Sequence, residues 1–234
     1  LGVAVSAAGR MLRREAVGIE QLLERGELGP SRTRLQALCG RDPSALDDSG
    51  VAAGVIESLA ENTVDAVVAP AVWGTALGAP GALGYRAINT MDAMVGHRDS
   101  RYERFGFGAA RLDDAANFVP ARLTAALVAT VRPRQAALVG RAVRRDAPAH
   151  PSPNAGLAEA AFAAALGVEL GGPLRYGERV EDRPRLGDGP RPVPADIGRA
   201  VRLADQVELA LVAVLALAAA VPFWRRVPRS GQEK

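Results

Sequence analysis

The sequence predicts an all-α fold: one domain over residues 1–234, built as a polytopic membrane bundle with helices broken by glycine and proline. Three observations carry this. The 234-residue chain is 48% hydrophobic yet 24% charged and only 4% aromatic, with a mean hydropathy of +0.03; that balance suits apolar helices joined by charged loops. Residues 66–85, AVVAPAVWGTALGAPGALGY, carry no charge, and about 20 apolar residues suffice to cross a hydrocarbon core. Residues 209–224, LALVAVLALAAAVPFW, form a C-terminal membrane helix, and Arg225, Arg226 and Arg229 follow it. On the positive-inside rule that tail is cytoplasmic. The expected location is the inner (cytoplasmic) cell membrane, crossed several times, with the lipid bilayer as a partner.

The elements follow in order. Residues 1–25 read as an amphipathic helix ending near Gly26, and 31–39 as a short second one. The opening LGVAVSAAGRMLRREAVGIEQ is not a signal peptide, because its apolar part is short and charges follow where a cleavage site would fall. The chain is read as starting inside a longer protein. In RDPSALDDSG, Asp42 is the expected cap and Pro43 suits the first helical position. A helix from Val51 then carries Glu57, Glu61 and Asp65. In the uncharged stretch, Pro70, Pro80 and the GxxxG pair Gly74 and Gly78 predict a broken or re-entrant helix pair; the alternative is a Gly-rich buried hairpin of a soluble fold. A helix is expected from about Ala109, kinked at Pro120, with an apolar run over 115–131. Residues 132–145 read as an Arg-rich loop, also cytoplasmic. SPNAGLAEAAFAAALG reads as a helix with Asn154 at its start and Gly167 at its end. Residues 172–198, rich in Pro, Gly and Arg, are expected to be mostly loop.

Several functions are excluded. A net charge of +3, without basic residues interleaved among stacking aromatics, argues against nucleic acid. The single cysteine, Cys39, rules out an internal disulfide and any Cys-based metal cluster, and reads as a small buried hydrophobe. There is no P-loop, HExxH or GxSxG motif. The two histidines, His97 and His150, are too few for a His-rich metal site; His97 reads as a polar contact in its loop.

Glu57, Glu61 and Asp65 recur every fourth residue, which puts them on one helical stripe about 80° wide. Like charges at that spacing destabilise a helix by roughly 0.2–0.5 kcal/mol per pair, so the stripe calls for a metal ion, Arg partners or water. Polar residues also crowd into 85–123: Arg86, Asn89, Thr90 and Asp92, then Asp113 and Asn117 on one helical face and Arg111, Asp114 and Phe118 on another, with Arg122 beyond. Carboxylates hold a hard cation such as Mg²⁺, and Arg forks hold phosphate oxygens. The bland alternative is a web of interhelical salt bridges.

The blocks GRDPSALDDSGVAAGVIESLAENTVDAVVAP, PGALGYRAINTMDAMVGHRDSRYERFGFGAARLDDAANFVPARL and HPSPNAGLAEAAFAAALGVELGG closely resemble the CbiB/CobD family of cobalamin-biosynthesis proteins, the adenosylcobinamide-phosphate synthases. The resemblance runs from about Gly40 to Gly189, the family core, in the family's order and spacing. Family members carry further hydrophobic segments ahead of the region that matches residues 1–39. The resemblance implies an integral membrane ligase that joins (R)-1-aminopropan-2-ol, or its O-phosphate, to a propionate carboxylate of adenosylcobyric acid in an ATP-dependent amide condensation. Other cobalamin-pathway enzymes are then candidate partners.

On that resemblance, one or two Mg²⁺ ions are assigned to Glu57, Glu61, Asp65, Asp113 and Asp114. Arg86, Arg111 and Arg122 are expected to hold ATP or the aminopropanol phosphate, and Asn62, Asn89 and Asn117 to orient them. Asp92 is a candidate acceptor for the proton of the attacking ammonium. Ser152 and Asn154 open a helix whose N–H groups could receive an anion or a corrinoid amide, an ordinary cap being the alternative. The expectation concerns the set; individual roles are interchangeable. Two other readings fit the same scaffold: a membrane corrinoid transporter or carrier, and a non-catalytic membrane regulator.

Overall fold

The computed structural model describes residues 2–39, 42–95, 103–176 and 179–226; His97 lies outside them. Helix α1 (Gly2–Glu24) and α2 (Leu28–Gln36) form an N-terminal pair, followed by α3 (Asp48–Asn62), a π-helical segment (Thr63–Val68) and α4 (Ala69–Val95). Then come α5 (Glu103–Val131), α6 (Ala136–Arg145), a 3₁₀ turn (Ala147–Ala149) and α7 (Ala155–Leu166). Strands β1 (Leu170–Tyr176) and β2 (Arg179–Leu186) precede α8 (Ala195–Arg226).

Helix α3 is the central rod. Every residue from Gly50 to Ala60 is buried, as expected of a helix surrounded on all sides. Its small residues, Ala52, Ala53, Gly54 and Ala60, let neighbouring backbones approach, and α7 answers with Ala158, Ala160, Ala161 and Phe162, all fully buried. Ile19 of α1 and Ile197, Leu203 and Val207 of α8 complete the core. Each buried side chain of that size stabilises the fold by roughly 1.5–3 kcal/mol. Arg13 clips α1 to α8 through Asp205 at 2.9 Å and Glu208 at 2.8 Å.

The fold is mostly helical, but four expectations are corrected. Asp42 does not cap α3: its Oδ1 accepts the Ser44 N–H in a turn, and the cap is Asp47, whose Oδ1 accepts from Gly50 N at 2.8 Å. The Arg-rich stretch at 132–145 is largely helix, because Val139 and Ala142 form a narrow buried stripe while Arg141, Arg144 and Arg145 stay exposed. Helix α5 begins at Glu103 and runs through Pro120 to Val131 as one element.

The fourth correction is the antiparallel hairpin β1–β2 inside the expected loop, which makes the fold not purely α. Its register pairs Leu170 with Leu186 and Gly172 with Arg183, with a bulge between Leu170 and Gly172. Leu170 and Leu186 are fully buried and anchor it to the core. The period-2 signal that marks a strand is interrupted in the sequence by Gly171, Gly172, Pro173 and Pro184. Gly171, at the bulge, has φ +77°, and a Cβ there would lie 2.1 Å from the Pro184 carbonyl oxygen.

The expected break in the uncharged stretch falls at Gly78, with φ 68° and ψ −156°; Pro70 and Pro80 lie within helix. Asp48–Val95, read continuously through the π-helical segment, is long and apolar enough to cross a membrane by length and composition, and 33% of its most apolar window is buried. No other helix among the described residues meets that test. On α8, Leu209, Val212 and Leu217 are 68%, 58% and 69% exposed.

Candidate functional site

The ends of several elements meet around a cavity of about 550 Å³. Its walls are Leu38 and Cys39 after α2, Glu61 of α3, Val64 and Asp65 of the π-helical segment, Asp92 of α4, Asp113 and Asn117 of α5, Ser152, Asn154 and Ala155 at the start of α7, and Arg183 of β2.

Local chemistry explains how the carboxylates reach it. Asn62 Nδ2 bonds the Ser58 carbonyl at 2.9 Å and Thr63 Oγ1 the Leu59 carbonyl at 2.7 Å. Such back-bonding competes with the helical ladder, and the chain widens here into π-helix, a departure found often at functional sites. Asp65 sits on that segment. On α5, Asp113 and Asn117 share a face through their i, i+4 spacing.

The polar floor is a closed network. Asn117 Nδ2 donates to Asp65 Oδ1 at 3.1 Å and Asp113 Oδ2 at 3.0 Å. Asn89 Nδ2 donates to Asp65 Oδ2 at 3.1 Å and Asp113 Oδ1 at 3.3 Å. Two carboxylates from different helices are thus bridged by two amides. The Tyr85 hydroxyl, buried beneath them, lies 3.0 Å from Asn117 Oδ1 and 3.2 Å from Asp65 Oδ1.

A second network reaches the cavity at Arg183, Ser152 and Asn154. Arg183 Nη1 lies 3.3 Å from His150 Nε2, and His150 Nδ1 lies 3.0 Å from the Ser152 carbonyl. Ser152 meets Nδ1 with both its carbonyl, at 3.0 Å, and its N–H, which donates at 3.1 Å. His150 is 7% exposed, and burial holds its pKa below the ordinary value despite the opposing Ser152 bond. Glu159, 1% exposed, places Oε1 3.7 Å from His150 Nε2. Asn154 is 5% exposed; its Nδ2 donates to the Asp114 carbonyl at 2.9 Å, while Oδ1 accepts no hydrogen bond from any described residue.

The structure therefore gathers Glu61, Asp65, Asp92, Asp113, Asn117, Ser152 and Asn154, with Asn89 behind them. Other expected site residues lie elsewhere. Glu57 lines a separate cavity of about 410 Å³ with Arg185 and Arg191, and its Oε1 accepts the Gly171 N–H at 2.9 Å. Asn62 is spent on its own helix. Asp114 is absent from the cavity's lining, its carboxylate 3.9 Å from Arg111. Arg111 lies over the Phe107 ring and Arg122 over the Phe118 ring, both exposed. Arg86 is also exposed and donates to Asn89 Oδ1 at 3.2 Å. The N–H groups that open α7 are already used: Ser152 Oγ accepts from Ala155 N at 3.1 Å and Asn154 N at 3.3 Å. Gly156 N and Leu157 N are taken by the Ser152 and Asn154 carbonyls, so the N–H groups that an anion receptor would need have partners, although the N-cap residue Asn154 makes no side-chain cap bond.

Arg183, His150, Glu159 and Tyr85 were not among the expected residues. Arg183 lay hidden in a stretch with no strand pattern, and Tyr85 only closed an apolar run.

A divalent cation can be tested against these groups. No three His, Cys, Asp or Glu side chains among the described residues are placed to hold one ion. Magnesium, however, is usually held by one or two carboxylates together with phosphate oxygens and water. The paired carboxylates of Asp65 and Asp113 are hard donors of that kind and fit it, while the Asn89 and Asn117 amides turn their nitrogens, not their oxygens, toward them.

A family model described as CobD/Cbib protein matches residues 1–204. The chain is similar to cobalamin biosynthesis protein CobD of Mycobacterium tuberculosis, 52% identical over 216 residues, covering 89% of this chain and 67% of that protein. It is similar to the CobD protein of Rhodobacter capsulatus, 44% identical over 211 residues, covering 90% and 67%. A third relative, cobalamin biosynthesis protein CbiB of Salmonella paratyphi B, is 43% identical over 201 residues, covering 84% and 63%. No solved structure matches.

Proposed function

The chain belongs to the CobD/Cbib family of cobalamin biosynthesis proteins, and from that premise we propose that it is an ATP-dependent ligase that forms an amide on a corrinoid carboxylate. The acyl donor is a propionate of adenosylcobyric acid and the amine that accepts it is (R)-1-aminopropan-2-ol or its O-phosphate. The protein works in the cytoplasmic membrane, which Asp48–Val95 and the exposed apolar end of α8 help it to enter. The single observation that carries the site is the convergence of Glu61, Asp65, Asp92 and Asp113 on one cavity.

A carboxylate is a poor acyl donor because its leaving group would be oxide. Phosphoryl transfer from ATP makes an acyl phosphate; the amine attacks its carbonyl, the C–N bond forms, and inorganic phosphate leaves. That chemistry asks for alignment and charge control more than for a protein nucleophile. Asp65 and Asp113 would hold Mg²⁺, whose positive charge offsets that of the transferring phosphoryl group. Asn89 and Asn117 keep those carboxylates together. Asp92, on the cavity wall, accepts the proton that the ammonium must lose before it attacks.

The test is direct. Membranes carrying the protein are incubated with adenosylcobyric acid, Mg²⁺-ATP and each amine, and the corrinoid is analysed by mass spectrometry. An ATP-dependent mass gain equal to the amine less water supports the reading. Corrinoid uptake into vesicles without any new covalent product overturns it in favour of a carrier.

A further inference from the structure

A separate cavity, of about 640 Å³, lies between α4 and α5, lined by Trp73, Gly84 and Tyr85 of the first and Leu112 and Ala115 of the second. Trp73 and Tyr85 bring the only polar side-chain groups to its lining, and both are spent inside the protein. The indole N–H donates to the Ala116 carbonyl at 3.0 Å, and the hydroxyl lies 3.0 Å from Asn117 Oδ1. A water needs two to four polar partners to stay in such a place, and an unfilled groove forfeits the contacts of its lining. Hydrocarbon is what fits. Two observations say whose. The groove belongs to Asp48–Val95, the one segment among the described residues long and apolar enough to cross a membrane, and only 33% of its most apolar window is buried. Its rim residues Leu77 and Leu112 are 61% and 52% exposed, so it opens onto whatever surrounds that segment. Size is the second. At a width of about 10 Å a helix fills roughly 120 Å³ per residue, so the groove would hold about five residues of one. A neighbouring membrane helix needs about 20, whereas a single unbranched chain can lie in the groove.

We propose that this groove seats one acyl chain of a bilayer phospholipid, lying between α4 and α5 against the indole of Trp73. Gly84 makes the room: a Cβ there would meet nothing within 4 Å, so the space beside it is open and a larger side chain would take it. Tyr85 closes the floor, and its hydroxyl reaches Asp65 and Asn117 on the far side. The chain therefore lies behind the carboxylate network and keeps water from it in that direction. This inference rests on the membrane placement proposed above and not on the ligase chemistry.

Trp73 and Trp224 are the only tryptophans, so Trp224→Phe leaves Trp73 as the sole reporter. The full chain carrying that change is reconstituted in phosphatidylcholine vesicles, either plain or brominated midway along one acyl chain, and bromine quenching of Trp73 fluorescence is read. Gly84→Leu and Ala115→Leu fill the groove from its two helices, and each is expected to remove most of the quenching. Leu83→Ala, exposed on the same turn of α4 but outside the groove, is expected to leave it unchanged, a split that a merely misfolded variant would not produce. Equal quenching in the parent and both leucine variants overturns the proposal, because Trp73 then meets only the lipid that surrounds any membrane protein. A parent without quenching overturns it too, the groove being covered by a second copy or another segment. The two readings fail separately. Protein that does not float with the vesicles sinks the membrane placement and the seat together; protein that floats but shows no split sinks the seat alone.

Discussion

Trp73 of α4 donates its indole N–H to the carbonyl of Ala116 on α5 at 3.0 Å. That carbonyl is the one Pro120 leaves without a helical donor, since proline has no N–H to return to the residue four positions earlier. A proline that would ordinarily weaken α5 instead fixes where α4 crosses it, one residue from Asn117.

This pairing has a measurable consequence. Trp73→Phe keeps most of the packing but orphans the Ala116 carbonyl, a loss of about 1–3 kcal/mol. For a chain of this size each kcal/mol moves Tm by roughly 2–4 °C. In a Pro120→Ala background the restored helical N–H should absorb most of that loss. Thermal unfolding of the four proteins of this cycle checks it; an equal loss in both backgrounds refutes the pairing.

Asn117 is the bridge with most to lose. Asn117→Leu removes both amide bonds and leaves Asp65 and Asp113 to repel each other. With hydrogen bonds to charged groups worth about 1.5–3 kcal/mol, product formation is expected to fall at least roughly tenfold. The rate of corrinoid amide synthesis, with folding verified by circular dichroism, decides; near-normal turnover would show that the bridge is dispensable.

His150 predicts a pH dependence of stability. Its folded pKa is lowered, chiefly by burial, so as pH falls below about 6.5 the unfolded chain takes up the proton first. The stability held above that pH is therefore lost as the solution is acidified towards the folded value. Between about pH 7.5 and about pH 5.5, wild-type Tm should drop further than that of His150→Gln. Identical slopes would contradict it.

Gly171→Ala tests the hairpin. Besides a φ of +77°, the new methyl would meet the Pro184 carbonyl oxygen at 2.1 Å, a backbone atom that cannot swing aside. The bulge must open, which also disturbs the Glu57 Oε1 bond to Gly171 N. We expect limited proteolysis to cut within the hairpin in this variant but not in wild type; unchanged protection would mean the bulge yields without cost.

Much of the site was legible because helix geometry is local. Asp113 and Asn117 were bound to share a face, and Glu61 and Asp65 to lie near each other, whatever the surroundings. The glycine-rich break in the uncharged stretch was equally legible, and Gly78 carries it. Other features had no local signature. The 132–145 helix was masked by its arginines, because a stripe of only Val139 and Ala142 is too thin to read by period. The hairpin was masked because Gly171, Gly172, Pro173 and Pro184 interrupt the alternation that marks a strand.

The sequence by itself determined the family, the mostly helical character and the pool of acids and amides from which the site is drawn. These follow from motif order, composition and spacing along a single chain. Only the tertiary structure decided that Glu57 turns to Gly171 while Glu61 faces the cavity, that Arg111 and Arg122 point outward, and that Arg183 enters from a strand. Those choices depend on which wall stands opposite each side chain, and contacts between distant segments are set by packing, not by periodicity.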